Sequence, residues 1–108
     1  MRESAIEKWM KRKIEEKGGR FYKWVSPGCR GVPDRIMIMP GGRIAFVELK
    51  ADHGRLSRIQ ARMHGILRRL GCMVYVVRGM DEAKAFMKAL GGGEEDEVRA
   101  TRISGAGD

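Results

Sequence analysis

The feature that most constrains this chain is a three-residue turn, Pro40-Gly41-Gly42, between two runs typical of β-strands. Residues 36–39 precede the turn and residues 43–50 follow it. A connection this short, built from proline and glycine, predicts a β-hairpin. If Met39 lies opposite Arg43, opposed residues have numbers that sum to 82. The turn therefore predicts the register of the hairpin as well as its existence.

This register brings two acidic residues together. Asp34 lies opposite Glu48, with Cβ atoms about 5 Å apart, and like charges at that separation destabilise a sheet. A divalent cation between the carboxylates would remove the repulsion, and Mg²⁺ prefers such oxygen ligands with several waters retained. Alternation along the strand places Lys50 on the same face as Glu48, where an ammonium group suits an attacking water or a charged phosphate. The alternative is an ordinary Glu–Lys pair on a solvated strand.

The remaining pattern predicts one domain over residues 1–90, with an α-β-β-β-α-β-α order of elements. Residues 91–108 begin with three glycines, continue into an acidic run and predict a disordered tail. The other predicted elements are a first helix that begins with a Ser4–Glu7 capping box and ends at Gly18-Gly19, a strand over 21–25, a loop over 26–33, a helix from Leu56 to Leu70, a strand over 74–77 and a last helix capped by Asp81.

The charge of the chain indicates a polyanionic partner. Its 22 Lys and Arg residues exceed its 14 Asp and Glu residues by eight. Such a surplus suits nucleic acid, although a merely soluble basic protein would share it. The chain has neither an apolar run of about 18 residues nor a secretory signal, so we expect no membrane span and a cytoplasmic location. Cys29 and Cys72 lack the spacing of a zinc site, and we expect both to be reduced.

The second predicted helix carries two further features. Gln60 lies within its apolar stripe, where an unpaired amide costs on the order of 1–3 kcal/mol. We therefore expect Gln60 to bond either to a polar group at the site or to backbone at the rim of the core. The opposite side of the helix has four cations and no acid, a pattern typical of phosphate contact or of a solvated face. The stripe is Leu56, Ile59, Met63, Leu67 and Leu70, and the cations are Arg55, Arg58, Arg62 and Arg69.

These motifs together resemble a known nuclease pattern. Gly31-Val32-Pro33-Asp34, Phe46-Val47-Glu48-Leu49-Lys50 and Leu56-Ser57 with Gln60 are similar to the PD-(D/E)xK nucleases in their VRR-NUC form, the virus-type replication-repair nuclease domain. The resemblance covers about residues 1–90. It implies a restriction-endonuclease-like α/β fold with a mixed central sheet flanked by helices. It also implies Mg²⁺- or Mn²⁺-dependent hydrolysis of phosphodiester bonds in DNA.

The resemblance also implies roles for single residues. Glu7 matches a helix-one glutamate of the family, although its side chain could equally close a capping box with Ser4. The implied catalytic residues are Asp34, Glu48, Lys50 and Gln60, and the implied metal ligands are Glu7, Asp34, Glu48 and the carbonyl of Leu49. We expect DNA to contact Ser26, Arg30, Arg35, Arg55, Arg58 and Arg62.

Single-domain members of this family are similar to homodimeric Holliday-junction resolvases of phages. The resemblance therefore implies a homodimer, branched DNA as substrate, a role in DNA repair, and a phage or prophage origin. The alternative is a non-catalytic basic module that binds DNA on the same fold. Opposed carboxylates argue against it, because a binding module has no use for them.

Overall fold

The computed structural model describes residues 2–92 of the chain. The predicted order of elements is confirmed. The elements are α1 (Glu3–Glu16), β1 (Arg20–Lys23), β2 (Arg35–Met39), β3 (Arg43–Lys50), α2 (Arg58–Arg69), β4 (Val74–Arg78) and α3 (Gly79–Gly92).

The strands form one mixed sheet in the order β1-β2-β3-β4. β2 runs antiparallel to both β1 and β3, and β4 runs parallel to β3. The parallel pair follows from the crossover through α2, since parallel neighbours cannot be joined by a tight turn. Met39 lies opposite Arg43, and Arg35 lies opposite Val47. The register predicted from the turn is therefore confirmed, and the α/β fold with a mixed sheet is observed.

The two faces of the sheet are covered by different helices. Side chains of β3 alternate, so that Val47 and Leu49 are buried against one face while Glu48 points to the other. α1 and α3 pack on the first face, and α2 contacts β4 on the second. The core of the first face consists of Ile6, Met10, Ile14, Phe21, Met37, Met39, Ala45, Val47, Leu49, Val77, Ala83 and Met87.

A glycine brings the loop before β2 against α2. Gly31 has a φ of 88°, in the left-handed region that favours glycine. A Cβ atom there would lie 2.5 Å from the carbonyl oxygen of Ile59, in the first turn of α2. Any larger residue would push the loop and the helix apart. This contact fixes the loop that leads into Asp34.

One predicted helix start is wrong and another was missed. α1 begins at Glu3 with Arg2 as N-cap, and no side chain caps it, so the predicted Ser4 capping box does not form. The capping box of this protein lies at α2 instead, between Ser57 and Gln60. Both sites have the same Ser-x-x-Glu/Gln spacing, so spacing alone does not distinguish them.

Other boundaries differ by a few residues from the predicted ones. Asp81 does not cap α3 but lies in its first turn, because the helix begins at Gly79. α3 also continues to Gly92, two residues into the predicted tail, and residues 93–108 lie outside the described residues. Between residues 2 and 92 no helix is both long and apolar enough for a membrane span. Both cysteines are free thiols.

Candidate active site

Asp34 lies at the junction of three strands. Its carbonyl accepts a hydrogen bond from Trp24 N–H at 2.9 Å, which continues the pairing of β1 with β2. Its side chain reaches the other way, and Oδ1 accepts from Leu49 N–H at 3.2 Å. Burial raises the pKa of Asp34, although this hydrogen bond and the Arg35 guanidinium both oppose the rise. The carboxylate is thus held against β3, as the register predicts.

Glu48 is the buried acid of the site, with 3% of its surface exposed. Burial, and next the charge of Asp34, raise the pKa of Glu48 to about 7, although Lys50 favours the ionised form. A raised pKa means that the ionised pair is unfavourable in the protein alone. The charge of Asp34 therefore acts on Glu48, as expected for two acids at opposed positions of the hairpin.

Both oxygens of the Glu48 carboxylate face polar side chains. Gln60 Nε2 donates to Oε2 at 3.3 Å, and Lys50 Nζ lies 3.8 Å from the same oxygen. Oε1 faces His64 Nε2 at 3.5 Å. Gln60 also closes the capping box, since its Oε1 accepts from Ser57 N–H at 2.9 Å. Both roles considered for Gln60, a site contact and a backbone contact, are therefore present at once.

His64 is a residue of this site that the sequence did not reveal. It is fully buried on the inward side of α2. Burial, followed by the charges of Arg68 and Lys50, lowers the pKa of His64. The signal available in the sequence was its spacing, one helical turn after Gln60. Because His64 lies between the apolar stripe and the arginine side of the helix, this spacing alone does not indicate a site residue.

Two acids on α1 lie near the site in an unexpected arrangement. Glu7 forms an ion pair with Arg35, with Oε2 at 3.9 Å from Nε, and no group of three potential metal-ligating side chains forms among the described residues. Glu7 is therefore not brought to the pair as a third ligand. Glu3, one turn earlier, is the α1 acid whose charge raises the pKa of both Asp34 and Glu48.

The remaining groups fit a divalent cation bound largely by water. Asp34 and Glu48 supply two carboxylates whose repulsion a cation would relieve. The N–H and C=O groups of one strand residue point towards the same neighbouring strand. Because the N–H of Leu49 donates to Asp34, the carbonyl of Leu49 also faces the side of the strand on which Asp34 lies. Two carboxylates, one carbonyl and retained water make a donor set of the kind that Mg²⁺ takes.

The predicted DNA contacts fall into two groups. The Arg35 side chain is only 13% exposed, and its Nη1 donates a hydrogen bond to the carbonyl of Asp34 at 3.0 Å. Its guanidinium group is therefore engaged within the protein rather than presented to DNA. Ser26 is half-buried in the loop before β2. Four predicted contacts are exposed to solvent: Arg30, Arg55, Arg58 and Arg62.

Comparison with known proteins identifies the family. The model of the VRR-NUC domain matches residues 1–81. The chain belongs to the VRR-NUC family. This VRR-NUC chain is 44% identical over 81 residues to "Putative nuclease p44" of Acyrthosiphon pisum secondary endosymbiont phage 1, across 75% of this chain and 87% of that protein. The family and this relative together support a nuclease.

Two solved VRR-NUC domains share the fold. One is 31% identical, with a TM-score of 0.75, over 80% of this chain and 94% of the other. A second is 18% identical, with a TM-score of 0.59, over 79% of this chain and 80% of the other. The resemblance inferred from the motifs is thereby confirmed for the family and the fold.

Proposed function

We propose that this VRR-NUC protein is a divalent-metal-dependent endonuclease that hydrolyses phosphodiester bonds in branched DNA. The observation that carries the proposal is the hydrogen bond from Leu49 N–H to Asp34. It holds one carboxylate beside the buried Glu48. A module that only binds DNA would gain nothing from a buried acid whose pKa rises to about 7.

Asp34, Glu48 and the Leu49 carbonyl would hold the ion, which is Mg²⁺, with Mn²⁺ as a substitute. When bound, such an ion neutralises charge that grows on the phosphate and activates water. Without it, the same two carboxylates repel each other. The placement of the two acids therefore supports the proposed metal dependence of cleavage.

Lys50 supplies the positive charge on the substrate side of Glu48. Its Nζ lies 3.8 Å from Glu48 Oε2, and its side chain is 18% exposed, so it can meet both the carboxylate and a phosphate. In hydrolysis the water oxygen bonds to phosphorus while one P–O ester bond breaks, which leaves a phosphate monoester and a hydroxyl. Lys50 would orient the water and offset charge on the phosphate.

DNA would approach along α2 and the loop before β2. The guanidinium groups of Arg30, Arg55, Arg58 and Arg62 are exposed to solvent, and guanidinium groups bind phosphate in two places. Gly31 packs the loop against the first turn of α2, so Arg30 lies close to the helix that carries the other three. Half-buried Ser26 belongs to the same loop.

A second copy of the chain would complete the enzyme, because one domain has one site and a junction needs two cuts. The half of the sheet not covered by α2 exposes apolar side chains. Tyr22 lies opposite Ile36, and Ile36 lies opposite Phe46, so these side chains share the face of the sheet that carries Glu48. On this face Tyr22 is 52% exposed and Ile44 is 53% exposed. This apolar face suits a symmetric dimer. We also propose a phage or prophage origin, because the 44% identical relative is a phage protein, together with a role in DNA repair and action in the bacterial cytoplasm.

The test is cleavage of a labelled panel comprising a four-way junction, a flap, a splayed arm, a duplex and a single strand. Wild type with Mg²⁺ should nick the junction most rapidly, and EDTA should stop the reaction. Glu48→Gln and Lys50→Met should each reduce the rate by at least about 100-fold. Lys8→Met is the matched control, because Lys8 is an exposed lysine on α1.

Three results would contradict the proposal, each in a different part. Cleavage that persists in both Glu48→Gln and Lys50→Met would place the chemistry elsewhere in the chain. Salt-sensitive DNA binding without cleavage at any divalent ion would favour the non-catalytic binding module. A preference for unbranched duplex would keep the enzyme but reject the branched substrate.

A further inference from the structure

The proposed site includes a buried imidazole with no evident use. His64 is fully buried, and neither of its ring nitrogens makes a hydrogen bond among the described residues. Glu48 Oε1 is likewise buried without a hydrogen-bond partner there. These two polar groups face each other at 3.5 Å. Buried polar groups in proteins are nearly always paired, so this arrangement calls for a function.

The orientation of the His64 ring decides which of its two nitrogens meets the carboxylate. Nε2 is the nitrogen that lies 3.5 Å from Glu48 Oε1. A neutral imidazole has one N–H, on either Nδ1 or Nε2. Only the form with the proton on Nε2 can donate to Glu48 Oε1.

We propose that His64 is a positioning residue that donates from Nε2 to Glu48 Oε1 and so fixes the orientation of this carboxylate for the divalent ion. The inference rests on the proposed function, in which Glu48 is a metal ligand. Gln60 already holds Oε2. With His64 on Oε1, two residues one turn apart on α2 hold both oxygens from one side.

In this arrangement the role of α2 is to position the Glu48 carboxylate. Its first turn is anchored by the Ser57–Gln60 capping box and by the close approach of Gly31. The helix therefore presents Gln60 and His64 as a rigid pair. Glu48 is left with lone pairs for the cation, since a carboxylate accepts about four contacts. Partners of this kind commonly change metal affinity by about 10- to 100-fold when removed.

Two substitutions separate the hydrogen bond from the space that the ring fills. In His64→Gln the amide nitrogen is as many bonds from Cα as Nε2, so the donor to Glu48 is retained. In His64→Asn the amide nitrogen takes the place of Nδ1, and the donor is lost. Met63→Leu is the control, because Met63 is a half-buried neighbour on α2 with no polar atom for Glu48.

The primary readout is Mn²⁺ affinity of the DNA-free protein, measured by electron paramagnetic resonance. His64→Asn should bind Mn²⁺ about 10- to 100-fold more weakly, while His64→Gln and Met63→Leu remain within about threefold. In cleavage, the defect of His64→Asn should shrink as Mn²⁺ is raised, with KM for DNA unchanged. Equal Mn²⁺ affinity of His64→Asn and His64→Gln would overturn the inference.

A measurement on the wild-type protein does not depend on the variants folding. The chain has two histidines, and His53 is the exposed one, so ¹⁵N imidazole resonances are readily assigned. The inference requires the His64 proton on Nε2, and a proton on Nδ1 would overturn it. If Glu48→Gln binds Mn²⁺ as tightly as wild type, the proposed function itself fails. If only Glu48→Gln loses affinity, the function stands and His64 has no positioning role.

Discussion

Replacing Glu48 by glutamine should stabilise this protein while abolishing its activity. In the folded protein the pKa of Glu48 rises from 4.5 to about 7. Protonated Glu48 contributes its full stabilisation of the fold below the unfolded-state pKa near 4.5. This contribution is lost as the pH rises through the folded-state pKa of about 7, because the folded protein binds the Glu48 proton more tightly than the unfolded chain does. Glutamine has the shape of the protonated acid at every pH, so it avoids this loss.

The size of the effect follows from the shift. The pKa of Glu48 differs by about 2.5 units between the folded and unfolded states, which corresponds to about 3 kcal/mol at about 1.36 kcal/mol per pKa unit. Glu48 is 3% exposed, so solvent screening reduces this value little. At pH 8 Glu48→Gln should therefore gain up to about 3 kcal/mol in free energy of unfolding, or on the order of 10 °C in Tm. At pH 4.5 the gain should be small.

The assay is urea unfolding in EDTA at pH 4.5 and pH 8, at one fixed protein concentration. Glu16→Gln is the control, because Glu16 is an exposed acid of α1 whose ion pair with Lys13 should contribute at most about 0.5 kcal/mol. Mg²⁺ should then stabilise the wild type at pH 8 and leave Glu48→Gln unchanged. A Glu48→Gln protein that is no more stable than wild type at pH 8 would refute the account of the buried acid.

Three further predictions concern the surroundings of the site. Gly31→Ala should lose on the order of 2 kcal/mol in urea unfolding, because its Cβ would meet the carbonyl of Ile59; an unchanged midpoint would contradict this packing. Gln60→Leu should lose about 1 kcal/mol with its capping box and should bind Mn²⁺ more weakly, as thermal scans with and without Mn²⁺ would show. Ile44→Asp should halve the mass measured by light scattering with an unchanged circular dichroism spectrum, whereas a persistent dimer would place the interface elsewhere.

The hairpin shows why part of this site was predictable. A short turn determines which residues of two strands face each other, and that local rule was enough to pair Asp34 with Glu48 and to place Lys50 on the same face. The neighbouring strands and helices did not need to be known. Wherever a functional pair lies within one local element, sequence periodicity carries the information.

The parts that sequence reasoning missed depend on contacts between distant elements. His64 reaches Glu48 because α2 packs on the sheet beside β4. Arg35 turns inward beside two partners, the carbonyl of Asp34 and Glu7 on α1. The predicted apolar stripe of α2 holds only in part. Leu56, Met63 and Leu67 are half-buried, whereas Ile59 and Leu70 are exposed to solvent. The fully buried side chain of the helix is His64, which the stripe did not include.

The most direct test of the shared cation is a crystal soaked in Mn²⁺ and measured at the manganese absorption edge. Lys50→Met is the protein of choice, since it removes cleavage while leaving both acids in place. We expect an anomalous peak between the carboxylates of Asp34 and Glu48, close to the Leu49 carbonyl. A fully soaked crystal with no peak there, or with its peak at other residues, would contradict the shared cation site.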